Sequence, residues 1–324
     1  MKAGIAIHPW LNQLKHNVVI MDQVIDYLTV FLPGGYVDDN DVVHREVEII
    51  PLSGREEELL TVHQRREVAS LVTTVLQRCV QRIGTIDPIT EDVIGNLLVA
   101  DRQYLLLKLR ELTLGDYVRA TICCPWPGCG KKIMVSFMIN DIPVTESIDK
   151  GPIYRMELSP EAAFVSESED AYREVTFRLP NGGDQKLISP LLVQNEAQAL
   201  TLLLQRCLHS IGSFQHPKQD VVDRLSPLAR MEIEQQMEAV APKVELTMES
   251  KCPECGRDYA VPFDIQHFFF GELQTSRDLL YREVHYLAYH YHWSEREIMD
   301  MPQQKRRTYI EILAEEIEKL NDVA

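Results

Sequence analysis

Four of the seven cysteines stand in two short knuckles, Cys124-Pro-Trp-Pro-Gly-Cys129-Gly and Cys252-Pro-Glu-Cys255-Gly. Proline and glycine favour the tight turn whose backbone N–H groups support sulfur ligands, and two such chelating pairs supply a tetrahedral four-cysteine set. Cys124, Cys129, Cys252 and Cys255 are therefore the expected ligands of one structural Zn2+. Four thiolates saturate the ion and leave no position for water or substrate, which predicts architecture and no catalysis. Cys123 competes with Cys124, but no proline follows it, and its counterpart beside the second knuckle is Lys251. Cys79 and Cys207 fall on apolar helical faces and read as core, where a free thiol packs as a small hydrophobe. An odd cysteine count in a chain that opens without a signal-peptide pattern predicts a reducing, cytoplasmic setting and no disulfide framework.

The elements that must position these knuckles recur with them. The first cysteines of the two knuckles are 128 residues apart, and the flanking sequence keeps that offset. His44-Arg-Glu-Val47 falls on Tyr172-Arg-Glu-Val175, Gly54 on Gly182, Leu76-Gln-Arg-Cys79 on Leu204-Gln-Arg-Cys207, Ile83-Gly84 on Ile211-Gly212, and Asp92-Val93 on Asp220-Val221. One ungapped register carries residues 44–124 onto 172–252, which predicts a tandem duplication in which each copy contributes half of the metal site. Within a copy, a strand (residues 45–50; 173–179) leads through a turn to an amphipathic helix. In the first copy that helix carries Val68, Leu71, Val72, Val75, Leu76, Cys79, Val80 and Ile83, with Gly84 as its C-cap. A second helical stretch carries Leu97, Leu98, Leu105, Leu106 and Leu109, or Val221, Val222, Leu225, Leu228 and Ile233. Alternating segments then flank each knuckle (117–122 with 133–137; 244–248 with 259–263), as a zinc-ribbon hairpin requires. The fold class expected is α+β: tandem duplicated strand, helix, helix, zinc-ribbon repeats sharing one four-cysteine zinc site, followed by a C-terminal helical module.

The expected boundaries are an N-terminal segment 1–43, repeat one 44–141, a linker 142–171, repeat two 172–268 and the helical module 269–324. Residues 18–31 read as an apolar helix, Asp38-Asp-Asn-Asp41 as a solvated turn lacking calcium-loop spacing, and Ser-Glu-Ser-Glu-Asp at 166–170 as exposed linker. In the separate C-terminal module, Ser276 opens a helix through Leu287, Ser294-Glu-Arg-Glu297 is a capping box, and Pro302 opens the last helix. Its cluster His285-Tyr-Leu-Ala-Tyr-His290-Tyr-His292-Trp293 has a five-residue His spacing, off the same-face interval, so aromatic packing is expected over metal binding. His290, His292, Trp293 and Tyr309 are the candidate partner contacts. No phosphate loop, nucleophile elbow, dinucleotide fingerprint or His-Glu-x-x-His pattern occurs.

With 33 basic and 49 acidic residues the formal charge is −16, which opposes nucleic-acid binding, and no apolar run approaches the roughly 18 residues of a membrane span. A nucleic-acid-binding zinc ribbon would need a basic, aromatic-lined face, and a zinc hydrolase would need one missing ligand with a carboxylate beside it. Leu32-Pro-Gly-Gly-Tyr-Val-Asp, His44-Arg-Glu-Val-Glu, Pro51-Leu-Ser-Gly-Arg-Glu-Glu-Glu-Leu59, Asp101-Arg-Gln-Tyr-Leu-Leu-Leu-Lys-Leu-Arg110 and the first knuckle, in that order, resemble the T-even-type baseplate hub assembly protein family of contractile phages and phage-like injection systems. Residues 289–309 resemble a very small protein from the same gene clusters. The resemblance implies a non-enzymatic assembly factor or baseplate component that binds hub, spike or tape-measure proteins.

Overall fold

Residues 28–32 are rich in apolar and β-branched side chains, and burial alternates along them, as in a strand with one buried face. In the computed structural model, which describes residues 27–62, 68–147, 151–262, 264–274 and 277–322, they open strand β1 (Leu28–Val37), which pairs with β2 (Val43–Ile49) from Leu28↔Ile49 to Val37↔Val43. Helices α1 (Gly54–Val62) and α2 (Val68–Cys79) follow, and β3 (Val80–Ile83) returns antiparallel to β2. A short α3 (Glu91–Asn96), capped by Thr90, turns into α4 (Val99–Leu114), and β4 (Tyr117–Cys123) and β5 (Lys132–Met138) form a hairpin. Leu71, Val72, Val75, Leu76 and Cys79, the apolar stripe of α2, are buried with Val47, Ile49, Leu105 and Leu109 in one core.

The next residues, expected to be a linker, carry structure. Strands β6 (Val144–Thr145), β7 (Tyr154–Glu157), β8 (Phe164–Val165) and β9 (Ala171–Tyr172) precede β10 (Glu174–Phe177). Then come α5 (Gly182–Gln194), α6 (Glu196–Cys207), β11 (Leu208–Ile211), β12 (Phe214–Gln215), α7 (Gln219–Asp223) and α8 (Pro227–Val240). A short β13 (Lys243–Val244) pairs with β6, and β14 (Thr247–Lys251) and β15 (Asp258–Pro262) form the second hairpin. The sheet of this half runs β12-β11-β10-β7, so residues 154–157 complete it as β1 completes the first. Its core gathers Val175, Phe177, Leu204, Leu208, Ile211, Val222 and Ile233.

Helices α9 (Ile265–Gln274), α10 (Arg277–Tyr291), α11 (Glu295–Met299) and α12 (Gln303–Asp322) end the chain as a helical region. Ser294 and Glu297 form the expected capping box, while Ser276 lies outside the described residues. The region is not set apart from the rest. Ile265 and Phe269 enter the first half's core, and fully buried Arg306 on α12 donates to Glu57 on α1 (2.8 Å) and to Glu283 on α10 (3.0 Å). Burial alone would lower the Arg306 pKa, but Glu57 and Glu283 outweigh it and hold it raised.

Two readings of the sequence are corrected. Residues 28–31 are strand, not the end of a helix, because Val30 and Leu32 face the core while Phe31 points out; residues 18–26 lie outside the described residues. Val80 and Ile83 belong to β3, not to the preceding helix. Both are buried in either conformation, so helical spacing cannot separate the two, and the open edge of β2 takes them into the ladder (Val47↔Ile83, Ile49↔Val80).

Positions 128 apart do matching work in the two halves. Arg78 reaches Glu56 (3.3 Å) and Arg206 reaches Asp184 (2.5 Å), each acid lying three residues after the cap of the neighbouring helix. Gly84 and Gly212 sit at φ of +56° and +53°, where an added Cβ would overlap the rings of His44 and Tyr172. Gly212→Ala therefore joins left-handed strain to overpacking, and a loss of about 2–4 kcal/mol is expected in urea denaturation. A loss below about 0.5 kcal/mol would mean that the Tyr172 ring moves aside freely.

Candidate metal centre

Each knuckle is the tip of a hairpin. Cys124 follows β4, its N–H donating to Lys131 O (2.9 Å), and Cys129 closes the turn onto Trp126 O (3.1 Å). In the second, Cys252 N–H donates to Arg257 O (3.0 Å) and Gly256 N–H to Cys252 O (2.8 Å). Folding brings the two tips together: the four sulfurs of Cys124, Cys129, Cys252 and Cys255 lie within 4.8 Å of one another. The cross-knuckle pairs Cys124–Cys255 and Cys129–Cys252 are each 3.9 Å apart. Four thiolates at about 2.3 Å from a tetrahedral ion would stand about 3.8 Å apart, so the donor set fits a metal of that geometry. Cys123 is exposed and outside the cluster, while Cys79 is buried in the first half's core and Cys207 is buried in the second half.

The surroundings of the sulfurs are ordered for this role. Cys124 and Cys252 are buried with Ile133 and Tyr259 in a small apolar cluster. Backbone N–H groups of Cys255 and Glu254 bring the Cys252 thiol down to about 7, while burial pushes Cys124 up to about 12. An incoming cation must displace the proton that Cys124 holds. Trp126, which the sequence reading passed over, donates its indole N–H to Asp258 O (2.8 Å) and lies under Arg257 (5.4 Å to the ring centroid), tying one knuckle to the other hairpin. Its flanking prolines were the only hint of a fixed position.

The candidate partner contacts separate into two groups. Trp293 stacks on Tyr291 (4.6 Å between centroids) and meets Tyr309 edge-on (4.9 Å), so these rings pin the end of α10 to α12. His290 sits against Tyr286 (4.6 Å) with its pKa lowered by burial and then by His292, which is itself exposed. At the acidic turn, Asp38 accepts N–H groups from Asn40 and Val42 (2.9 Å each) and faces His44 (3.1 Å). The buried Glu57–Arg306–Glu283 cluster carried no sequence signal, since charged residues at helical spacing read as a solvated face.

A family model described as T4 bacteriophage base plate protein matches residues 30–270. A second, described as a family of unknown function (DUF6760), matches residues 273–324. No curated protein and no solved structure matches the chain.

Proposed function

The chain belongs to the T4 bacteriophage base plate protein family, and from that premise we propose that it is a zinc-stabilised baseplate or hub assembly factor of a contractile, phage-like particle, acting by binding other tail proteins. The observation that carries the reading is the four-cysteine cluster inside the matched region: sulfurs 3.9 Å apart across two hairpins suit one Zn2+ bound by Cys124, Cys129, Cys252 and Cys255. When bound, the ion would supply a crosslink between the halves, since a saturated thiolate set offers no site for substrate. The chain's own residues do the positioning: backbone N–H groups hold the Cys252 sulfur, and Trp126 locks the knuckles in register.

A tandem duplication accounts for the matched pairs at 128-residue spacing, with repeats 44–141 and 172–268 joined by 142–171 and flanked by 1–43 and the module 269–324. In favour stand the two sheets, the two hairpins and the like roles of Arg78 and Arg206. The ends of the two family matches, at 270 and 273, fall near the last of these boundaries. Hub, spike or tape-measure proteins are the partners, with His290, His292, Trp293 and Tyr309 in the contact region. No described helix is long and apolar enough to cross a membrane, and the place of action is the assembling particle in the cytoplasm.

The test compares purified particles and assembly intermediates from the host by quantitative mass spectrometry. The chain at fixed stoichiometry with hub, spike or tape-measure proteins supports the reading, in intermediates alone as an assembly factor and in both fractions as a component. Absence from both fractions, or recovery with nucleic acid only, sinks it.

A further inference from the structure

The setting of Arg306 has counterparts elsewhere in the chain. A short helix, a turn and a longer helix with an arginine in its first turn occur as α3–α4, α7–α8 and α11–α12. An offset of 204 residues lays Ser294 on Thr90, Ile298 on Ile94, Arg306 on Arg102 and Ile310 on Leu106; the offset of 128 lays Val222 on Ile94 and Arg230 on Arg102. Each arginine donates to a carbonyl of the short helix or the turn after it: Arg102 to Ile94 O (3.0 Å), Arg230 to Val222 O (2.8 Å) and Arg306 to Met301 O (2.6 Å). Each also reaches an acceptor on the helix before, Thr73 (3.0 Å), Thr201 (2.9 Å) or Glu283 (3.0 Å). The chain therefore holds three cradles of one design.

Two of them grip the same object, a helix whose first residue is glycine. Arg102 lies against Gly182, beside the bridge Leu98↔Asn181, and Arg306 lies against Gly54, beside the bridge Ser53↔Pro302. A Cβ at Gly182 would overlap the Arg102 guanidinium, and one at Gly54 would stand 3.0 Å from Met299 Sδ, so close approach requires glycine in both. Both helix starts also carry a cap bonded to an acid three residues on, Ser53 with Glu56 and Asn181 with Asp184. Against the third cradle, none of the described glycines places a helix start. No bridge crosses Ser226, Arg230 remains 27% exposed, and Leu228 and Met231 are 36% and 45% exposed.

We infer that the α7–α8 cradle receives the helix start at residues 53–57 of a second copy of this chain, and that α11–α12 covers that helix start in the single chain. Gly182 is gripped between the two halves and cannot be offered without parting them. Gly54 is covered by α11 and α12, whose Ile298, Ile310 and Ala314 share with Leu287 of α10 a core separate from that of the first half, so the cover can lift away once the buried Arg306–Glu57 pair is broken. Arg230 then meets Glu57 as Arg306 does, and Ser226 meets Ser53. Repeating the joint that already links the first half to the second gives head-to-tail association, which closes into a ring or runs on as a filament. This reading stands on the helix geometry and does not depend on the metal.

The test is the mass of the full-length chain in solution across a concentration series. Wild type is expected at the mass of one chain. Arg306→Glu, which sets a third carboxylate beside Glu57 and Glu283, is expected to rise toward two chains and beyond, and Arg306→Glu combined with Met231→Asp to return to one. Should Arg306→Glu lose its circular-dichroism signal, Met299→Asp takes its place, setting a charge in the buried contact against Gly54. A folded, opened variant that stays at one chain's mass overturns the proposal, as does association that survives Met231→Asp.

Discussion

Full-length protein carrying Cys252→Ser is expected to retain no stoichiometric zinc, and to unfold at a far lower denaturant concentration than the metal-loaded parent. Structural zinc sites contribute about 10–16 kcal/mol of apparent binding free energy near neutral pH, and where the folded arrangement alone presents all four sulfurs, that binding stabilises the fold. Among the described residues the two hairpins meet through a small apolar cluster around Cys124, Ile133, Cys252 and Tyr259, the Trp126–Asp258 hydrogen bond and the Arg257–Trp126 contact. Cys252 is fully buried in that cluster, and its thiol, held down to about 7 by backbone N–H groups, favours the thiolate that a metal needs. The same chemistry sets a pH dependence. Protons must leave all four sulfurs, and Cys124, pushed up to about 12, is protonated throughout the neutral range, so zinc affinity falls with each drop in pH and more steeply below about 7, where Cys252 also takes a proton; the stability that zinc confers falls with it. Elemental analysis after dialysis and denaturation with and without chelator check the expectation. Cys123→Ser is the matched control, because Cys123 is exposed and outside the cluster. Metal content unchanged in Cys252→Ser, or lost equally in both variants, would refute the assignment.

The cluster was legible in the sequence because ligand spacing is local. A Cys-Pro…Cys-Gly frame writes the turn and the donors into one stretch, and the constant offset between two frames says that they belong together. The hairpins were legible for a similar reason, since alternation survives in strands with one exposed face, where Val118 and Ile133 are buried between exposed neighbours. Elements whose identity depends on distant partners were not. Val80 and Ile83 are apolar at a spacing that suits helix or strand, and only β2 decides. Residues 154–157 alternate, Tyr-Arg-Met-Glu, but over too short a run to stand out, and they become a strand by pairing with β10. The likeness of α11–α12 to α3–α4 is nearly invisible in letters, because a few apolar positions, a cap and one arginine keep the geometry while the rest diverges.

Glu57→Ala is expected to destabilise the protein by about 3–5 kcal/mol, because removing one member of a buried charge cluster leaves the others unpaired. Glu57 and Arg306 are 1% and 0% exposed, and Glu57 also accepts from Gln303 (3.2 Å). Arg55, two residues earlier, pairs with Asp300 at the surface, where both partners are about half exposed. Arg55→Ala should therefore cost about 1 kcal/mol or less. The contrast separates burial from charge count, since both pairs join α1 to the C-terminal region. A double replacement sharpens it. Glu57→Leu with Arg306→Met removes the unpaired charge as well as the pair, and should recover much of the loss if desolvation dominates. Urea denaturation gives the magnitudes, and hydrogen exchange across residues 277–322 gives the location, with protection in α10 and α12 falling in Glu57→Ala before protection in the second half does. Equal losses for Glu57→Ala and Arg55→Ala, or exchange that rises uniformly along the chain, would show that this cluster does not hold the helical region in place. A local loss would identify Arg306 as the residue through which the C-terminal helices are fastened to α1, with glycine at position 54 allowing the close approach.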